Sequence, residues 1–167
     1  ITQATAVTVT GTSSFTTSAS NGTITLSEAS NALTGAVTLS SLGSSGNATV
    51  VNASDLDLAA STVGGTLSAT ATTGNITDSG NLTITGAATF ITGADGSDIV
   101  LDSSGNAFSA AVTMQADAGD EAFGNITFTD SASINLNSSA SSDGDLYINA
   151  GTDGAVGGNL DITATTG

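Results

Sequence analysis

Short runs in which an apolar residue alternates with Ser or Thr recur along the whole chain, as in Val7-Thr8-Val9, Ile24-Thr25-Leu26 and Leu82-Thr83-Ile84. Side chains of an extended chain point to opposite faces in turn. A two-residue period with β-branched members therefore marks strands that are buried on one face and wet on the other. Further strand-like cores lie near Val37–Leu39, Leu56–Leu58, Leu67–Ala69, Ile99–Leu101, Ile126–Phe128, Leu146–Ile148 and Leu160–Ile162. Clusters of Gly, Asn, Ser and Asp separate them and form turns. No stretch holds helical spacing for three turns, and no run approaches the length of a membrane-spanning helix. The chain reads as all-β.

The runs also repeat as a set. At an offset of 75, Gly11 falls on Gly86, Phe15 on Phe90, Ile24 on Ile99, Leu26 on Leu101, Asn31 on Asn106 and Val37 on Val112. Over positions 1–40, 15 residues are identical to their partners, where this composition gives roughly one match in nine by chance. The offset grows to 93, where Val63–Gly74 meets Val156–Gly167 (VGGTLSATATTG against VGGNLDITATTG). Two units follow, 1–75 and 76–167, within one continuous domain over 1–167. In that frame Gly167 stops one residue short of where Ile1 starts, so the sequence reads as close to a whole period of an array or head-to-tail stack. It opens Ile1-Thr2-Gln3 without Met and reads as a piece of a longer polypeptide.

A hairpin meander and a β-solenoid both use short strands. No clear two-residue Asn-Gly or Asp-Gly turn joins two good strands, Asn21-Gly22 being the one candidate, and strands follow each other at roughly 7–14 residues. Both facts favour a parallel β-helix with about three short strands per coil of roughly 25 residues, or six to seven coils. Coils stacked in register would give Phe15 and Phe90, or Leu33 and Phe108, corresponding interior places. Recurrent Asn, such as Asn31 with Asn106 and Asn47 with Asn125, would serve turns as residues that tolerate left-handed backbone angles.

Composition decides which functions are open. The 167 residues include 15 Asp or Glu and no Lys, Arg or His, for a net charge of −15, and no Cys or Pro. A mean hydropathy of +0.24 argues against disorder. Without a basic side chain, nothing neutralises phosphates or anionic lipid, so neither nucleic acid nor direct membrane insertion is expected. Without His, Cys or Lys there is no Ser-His-Asp triad, thiol nucleophile, Schiff base or ordinary zinc site. Paired carboxylates alone would have to hydrolyse glycosides without a cation in the cleft. The chain reads as no enzyme, with no catalytic residue and no cofactor.

Three binding patterns remain, each beside a plainer reading. Gly93-Ala94-Asp95-Gly96-Ser97-Asp98 and Asp143-Gly144-Asp145 put carboxylates into turns of the kind that ligate calcium. Asp95, Asp98, Asp143 and Asp145 are thus the calcium candidates, against solvated turn residues. Thr-x-Thr pairs at Thr8–Thr10, Thr23–Thr25, Thr70–Thr72, Thr83–Thr85 and Thr127–Thr129 could form an ice-binding ladder, against Thr as a good outward strand residue. Asn21, Asn47, Asn52, Asn75, Asn81, Asn125 and Asn137 open glycosylation sequons, most of them expected from the abundance of Ser and Thr.

Sheets blunt exposed edges with Lys, Pro or a covering helix. This chain has neither residue and no segment that reads as a helical cap, so its terminal edges read as surfaces for a further coil. Repeats such as Gly-Asn-Ile-Thr, Asn-Leu-Thr-Ile-Thr-Gly and Val-Gly-Gly-Asn-Leu-Asp-Ile resemble those of filamentous-haemagglutinin-like β-helical adhesins and related bacterial surface fibres. The resemblance implies a right-handed parallel β-helix, secretion, and a role as stalk, adhesin or filament at the cell surface. The expected partners are further copies stacked head to tail. The alternative is a solenoid face that binds ice, carbohydrate or calcium.

Overall fold

The computed structural model describes residues 1–116, 124–131 and 160–164. The chain winds first through β1 (Thr8–Val9) and β2 (Ser13–Ser20), then through β3 (Ile24–Leu26), β4 (Ala32–Leu33) and β5 (Val37–Leu42). Three windings follow: β6 (Ala48–Asn52), β7 (Leu56–Leu58) and β8 (Ser61–Val63); β9 (Leu67–Ala71), β10 (Ile76–Asp78) and β11 (Leu82–Ile84); β12 (Ala88–Thr92), β13 (Ile99–Leu101) and β14 (Ala107–Phe108). Above them lie β15 (Val112–Gln115), β16 (Ile126–Asp130) and β17 (Leu160–Ala164).

Every strand pairing among the described residues is parallel. One sheet stacks β3, β6, β9, β12 and β15. A ten-stranded sheet carries β7, β10, β13, β16 and β17 beside β8, β11 and β14, with β5 reaching across both rows and β2 beneath it; β1 and β4 form a two-stranded sheet. The fold is a parallel β-solenoid of about 5 turns, three strands to a coil, with equivalent strands about 22 residues apart. The coil is thus somewhat shorter than the spacing of strand-like runs led one to expect. Asn21 does take a left-handed angle (φ 63), but its turn leads from β2 into a different sheet.

Alternation fills the core. Val37 and Leu39, Leu56 and Leu58, Ile76, Leu82 and Ile84, and Ile99 and Leu101 are fully buried, while the residues between them face out. No coil can cover its own inward side chains, but each neighbour covers them and satisfies the strand amides along its length. Phe108 joins two coils, meeting Phe90 of its own winding edge-on at 6.0 Å and Phe128 of the next at 5.1 Å. Backbones approach closely at the corner before β12: the Gly86 amide donates to Gly65 O at 2.9 Å, and a Cβ on Gly86 would lie 2.5 Å from that oxygen.

The sequence repeat and the coil do not share a period. Three windings carry the chain from Ile24 through Ala48 and Leu67 to Ala88, and a fourth reaches Val112. The repeat partner of Ile24 is Ile99, which falls between Ala88 and Val112, one strand further round the coil than three whole windings. Ile24 therefore lies in β3 of the five-stranded sheet, and Ile99 lies in β13 of the ten-stranded one. Strand pairing is kept all the same: Thr8↔Ala32 recurs as Thr83↔Ala107, and Ser13↔Val37 as Ala88↔Val112. Phe15 and Phe90 do not hold corresponding places. Phe15 is half-buried on β2 in one sheet and Phe90 fully buried on β12 in the other. Leu33 and Phe108 are both buried, but also in different sheets. A three-sided coil with similar faces can seat one strand–turn unit on any of them, so the repeat preserves neighbours without preserving the face.

Candidate functional site

Two features stand apart from the regular coil: buried polar columns and the edge of the first winding, which no other described strand pairs. Asn31, Asn52, Asn106, Asp78 and Asp130 are all almost completely buried. They serve amides where the ladder changes step. Asn31 Oδ1 accepts from Val7 N at 2.9 Å, Asn52 Oδ1 from Leu33 N at 2.9 Å, and Asn106 Oδ1 from Leu82 N at 2.7 Å. Ser61 does the same with its hydroxyl, accepting from Leu39 N at 2.9 Å. Asn31 and Asn106 are thus not left-handed turn residues; among the described residues Asn21 is the one non-glycine with positive φ. A buried amide left unpaired costs about 1–3 kcal/mol, which is why a polar side chain occupies these interior positions.

Asp78 is the most constrained. Its Oδ1 accepts from Asp102 N at 2.9 Å and its Oδ2 from Asn106 Nδ2 at 2.6 Å. Burial pushes its carboxyl above the ordinary value of 3.8, while the bonds from Asn106, Asp102 and Ser103 pull it back. The sequence carried a signal for this residue. In Ile76-Thr77-Asp78 and Phe128-Thr129-Asp130, alternation puts the acid on the inward side.

A second Asx column lies outside, at the turn before β7, β10, β13 and β16. Asn75 N donates to Asp55 Oδ1 at 2.8 Å, Asp98 N to Asn75 Oδ1 at 2.8 Å, and Asn125 N to Asp98 Oδ1 at 2.6 Å. The calcium candidate Asp98 is therefore engaged in holding one coil to the next, and Asp95 is exposed at the turn. Asp143 and Asp145 lie outside the described residues. Among the described residues no three acidic side chains gather as a metal site would require.

The Thr-x-Thr pairs scatter over faces: Thr8 lies in the two-stranded sheet, Thr25 and Thr70 in the five-stranded one, Thr83 and Thr127 in the ten-stranded one. A different set does align. Thr25, Thr49, Ser68, Thr89 and Thr113 form one column, with Thr2 bridged to Thr25 below, on a sheet whose strands hold no carboxylate. Of the sequons, Asn52 is buried with its amide nitrogen donating to Leu33 O and Asp55 O, so it is closed to modification.

Among the described residues, the first winding is tied to the coil above it. The Ile1 backbone nitrogen donates to Thr23 O at 2.6 Å, and Gln3 exchanges hydrogen bonds with Asn31 at 2.7 and 3.0 Å. Val7, Val9 and Phe15 pack on the core but are only partly covered. Ser13 N donates up to Ala36 O in the next coil. Backbone groups alternate along a strand, so Ser14 and Thr16 direct theirs to the side where β2 has no strand partner among the described residues. One edge defence is present that composition did not reveal: the pairing of β2 with β5 shifts between Thr16 and Ser20, an irregularity that leaves Ser13–Thr16 as the flat stretch.

Continuous parallel stacking, an apolar core closed only by neighbouring coils and inward Asx columns define a β-helical repeat protein. The family model described as repeats of unknown function (DUF5649) matches residues 1–40 and 45–115, more than half of the chain, and the chain belongs to this family. The two matched stretches end at Ser40 and Gln115, which are equivalent positions of the internal repeat. No curated protein and no solved structure matches.

Proposed function

We propose that this chain is a structural segment of an extracellular filament or giant adhesin stalk, non-catalytic, and extended by head-to-tail stacking of coils. One observation carries the reading: the first winding presents a flat, uncharged edge at Ser13–Thr16, above which Val7, Val9 and Phe15 are only half covered. Another parallel rung satisfies both needs at once, pairing the amides and closing the core. The absence of Lys and Arg suits exposure outside the cell, since trypsin-like proteases find no site. Electron microscopy and fibre diffraction of the native material test this. Rods with an axial spacing of about 4.8 Å are expected, and lone particles at every concentration would overturn it.

A second reading, recognition by one face, is favoured by the charge-free Thr25–Thr113 column. Its test is thermal hysteresis together with co-sedimentation on insoluble polysaccharide. Activity lost in Thr49→Lys and Thr89→Lys variants would establish it, and null results for the unaltered protein would remove it.

A further inference from the structure

We infer that the edge of β2 is built to receive β17 of a second copy of this chain, in the register Ser13 over Leu160, Ser14 over Asp161, Phe15 over Ile162 and Thr16 over Thr163. The inference rests on the stacking reading above and goes beyond it by naming the two strands and their alignment.

The first support is the repeat. At the offset of 75, β2 corresponds to β12, and at the offset of 93, β17 corresponds to β9. Inside the molecule β12 rests on β9 with Ala88↔Leu67, Thr89↔Ser68, Phe90↔Ala69 and Ile91↔Thr70. Carried to the ends of the described solenoid, that contact sets β2 on β17 in the register given.

The second support is geometric and independent of sequence similarity. β2 and β17 belong to the same ten-stranded sheet, both parallel, with β2 at its lower margin and β17 the last strand at the other. β5 spans both rows of that sheet, so translating one copy along the axis brings the Ser13 end of β2, which lies under Val37 and Leu58, to the row that β17 ends, while Thr16 lies under the row of β8.

The third is the direction of the backbone groups. Leu56, Ile76 and Ile99 each send their N–H up, to Asn75 O, Asp98 O and Asn125 O. Leu160 continues that column through Ile126 and so presents its N–H to the side where β17 has no strand partner among the described residues. In the internal contact Leu67 N donates up to Ala87 O, which is the bond Leu160 N would make to Thr12 O of the arriving copy. On β2, Ser14 and Thr16 face down, as required to meet it. A shift by one residue would set outward groups against inward ones. A shift by two keeps the parity: the column Ser13, Val37, Leu58, Asp78, Leu101, Phe128, Ile162 would place Ser13 over Ile162 instead. The repeat decides for Leu160, and the two alignments are separable by experiment.

Aligned residues on adjacent parallel strands lie about 4.8 Å apart, within disulfide reach, and the chain has no Cys of its own. The full chain carrying Ser14→Cys with Asp161→Cys should form a ladder of covalent multimers on mild oxidation. The pair Ser14→Cys with Thr163→Cys should stay largely monomeric. A Ser14→Pro variant should keep its pairing to β5 and its circular dichroism, because the Ser14 amide points away from β5, and should lose the multimers. Rods by microscopy with cross-linking only in the Thr163 pair would overturn the register and leave the stacking reading standing. Absence of any assembly would overturn both, and assembly undiminished by Ser14→Pro would remove β2 from the contact.

Discussion

Asp78 and Asn106 meet inside the solenoid across neighbouring coils, the carboxylate Oδ2 accepting from the amide Nδ2 at 2.6 Å with both side chains buried. A carboxylate here has no cation to face, since the chain has none in its side chains. Its bonds come from amides, and these offset its desolvation only in part, so the group titrates above 3.8.

That direction fixes a pH dependence. Between 3.8 and its raised folded value, Asp78 binds more proton in the folded chain than in the unfolded one, so stability falls as pH rises through this window. The contribution is greatest below 3.8 and gone above the folded value. Denaturation midpoints measured from pH 3 to 7 should decline more steeply for the unaltered protein than for Asp78→Asn. Parallel curves would show that Asp78 is not the group responsible.

Asn106 bridges Asp78 and Leu82 N, so Asn106→Ala strands an acceptor and a donor together. Each buried loss costs about 1–3 kcal/mol. The double variant Asp78→Ala with Asn106→Ala should be less costly than the sum of the two singles, because the singles share one bond. Strict additivity in chemical denaturation would contradict the bond.

These buried acids show where the sequence was readable and where it was not. Alternation alone placed Leu56, Leu58, Ile76 and Leu101 inward, and the three-strand coil followed from strand spacing. The same alternation also put Asp78 and Asp130 inward, but acidic residues in a Gly- and Asn-rich chain read as turn residues. Their partners lie a whole coil away along the chain, so no local pattern announces them. The face occupied by each repeat unit was equally hidden. Ile24 and Ile99 match in sequence because each needs the same neighbour, and nothing in that match fixes rotation about the axis. The edge irregularity in β2 depends on Thr16–Ser20 spanning more chain than Ser40–Leu42 above it, which is a property of two coils together.

Phe108 stands between Phe90 and Phe128. Phe108→Ala opens a cavity between two coils, and a destabilisation of about 3–5 kcal/mol is expected. Phe108→Leu should recover more than half of it. A small effect from the Ala variant would mean that the coils collapse onto one another freely.

Gly86→Ala places a methyl 2.5 Å from Gly65 O, against backbone rather than a movable side chain. The corner must open to admit it, at about 1–3 kcal/mol. Gly11→Ala has open space at its methyl and serves as the control. If the two variants melt together, the corner is not close-packed.

Net charge gives the last prediction. Fifteen carboxylates face no basic side chain anywhere in the sequence. Long-range electrostatics are therefore repulsive almost throughout, and compacting the chain raises that repulsion. Added salt screens it: the Debye length falls from about 30 Å at 0.01 M to about 3 Å at 1 M. The melting temperature should rise steadily over that range, by at least about 2 °C, the shift expected for a stabilisation near 1 kcal/mol in a chain of this size. A protein held by ion pairs would respond in the opposite sense. A fall in melting temperature with sodium chloride would thus mean that attraction, not backbone pairing and core burial against repulsion, dominates its electrostatics.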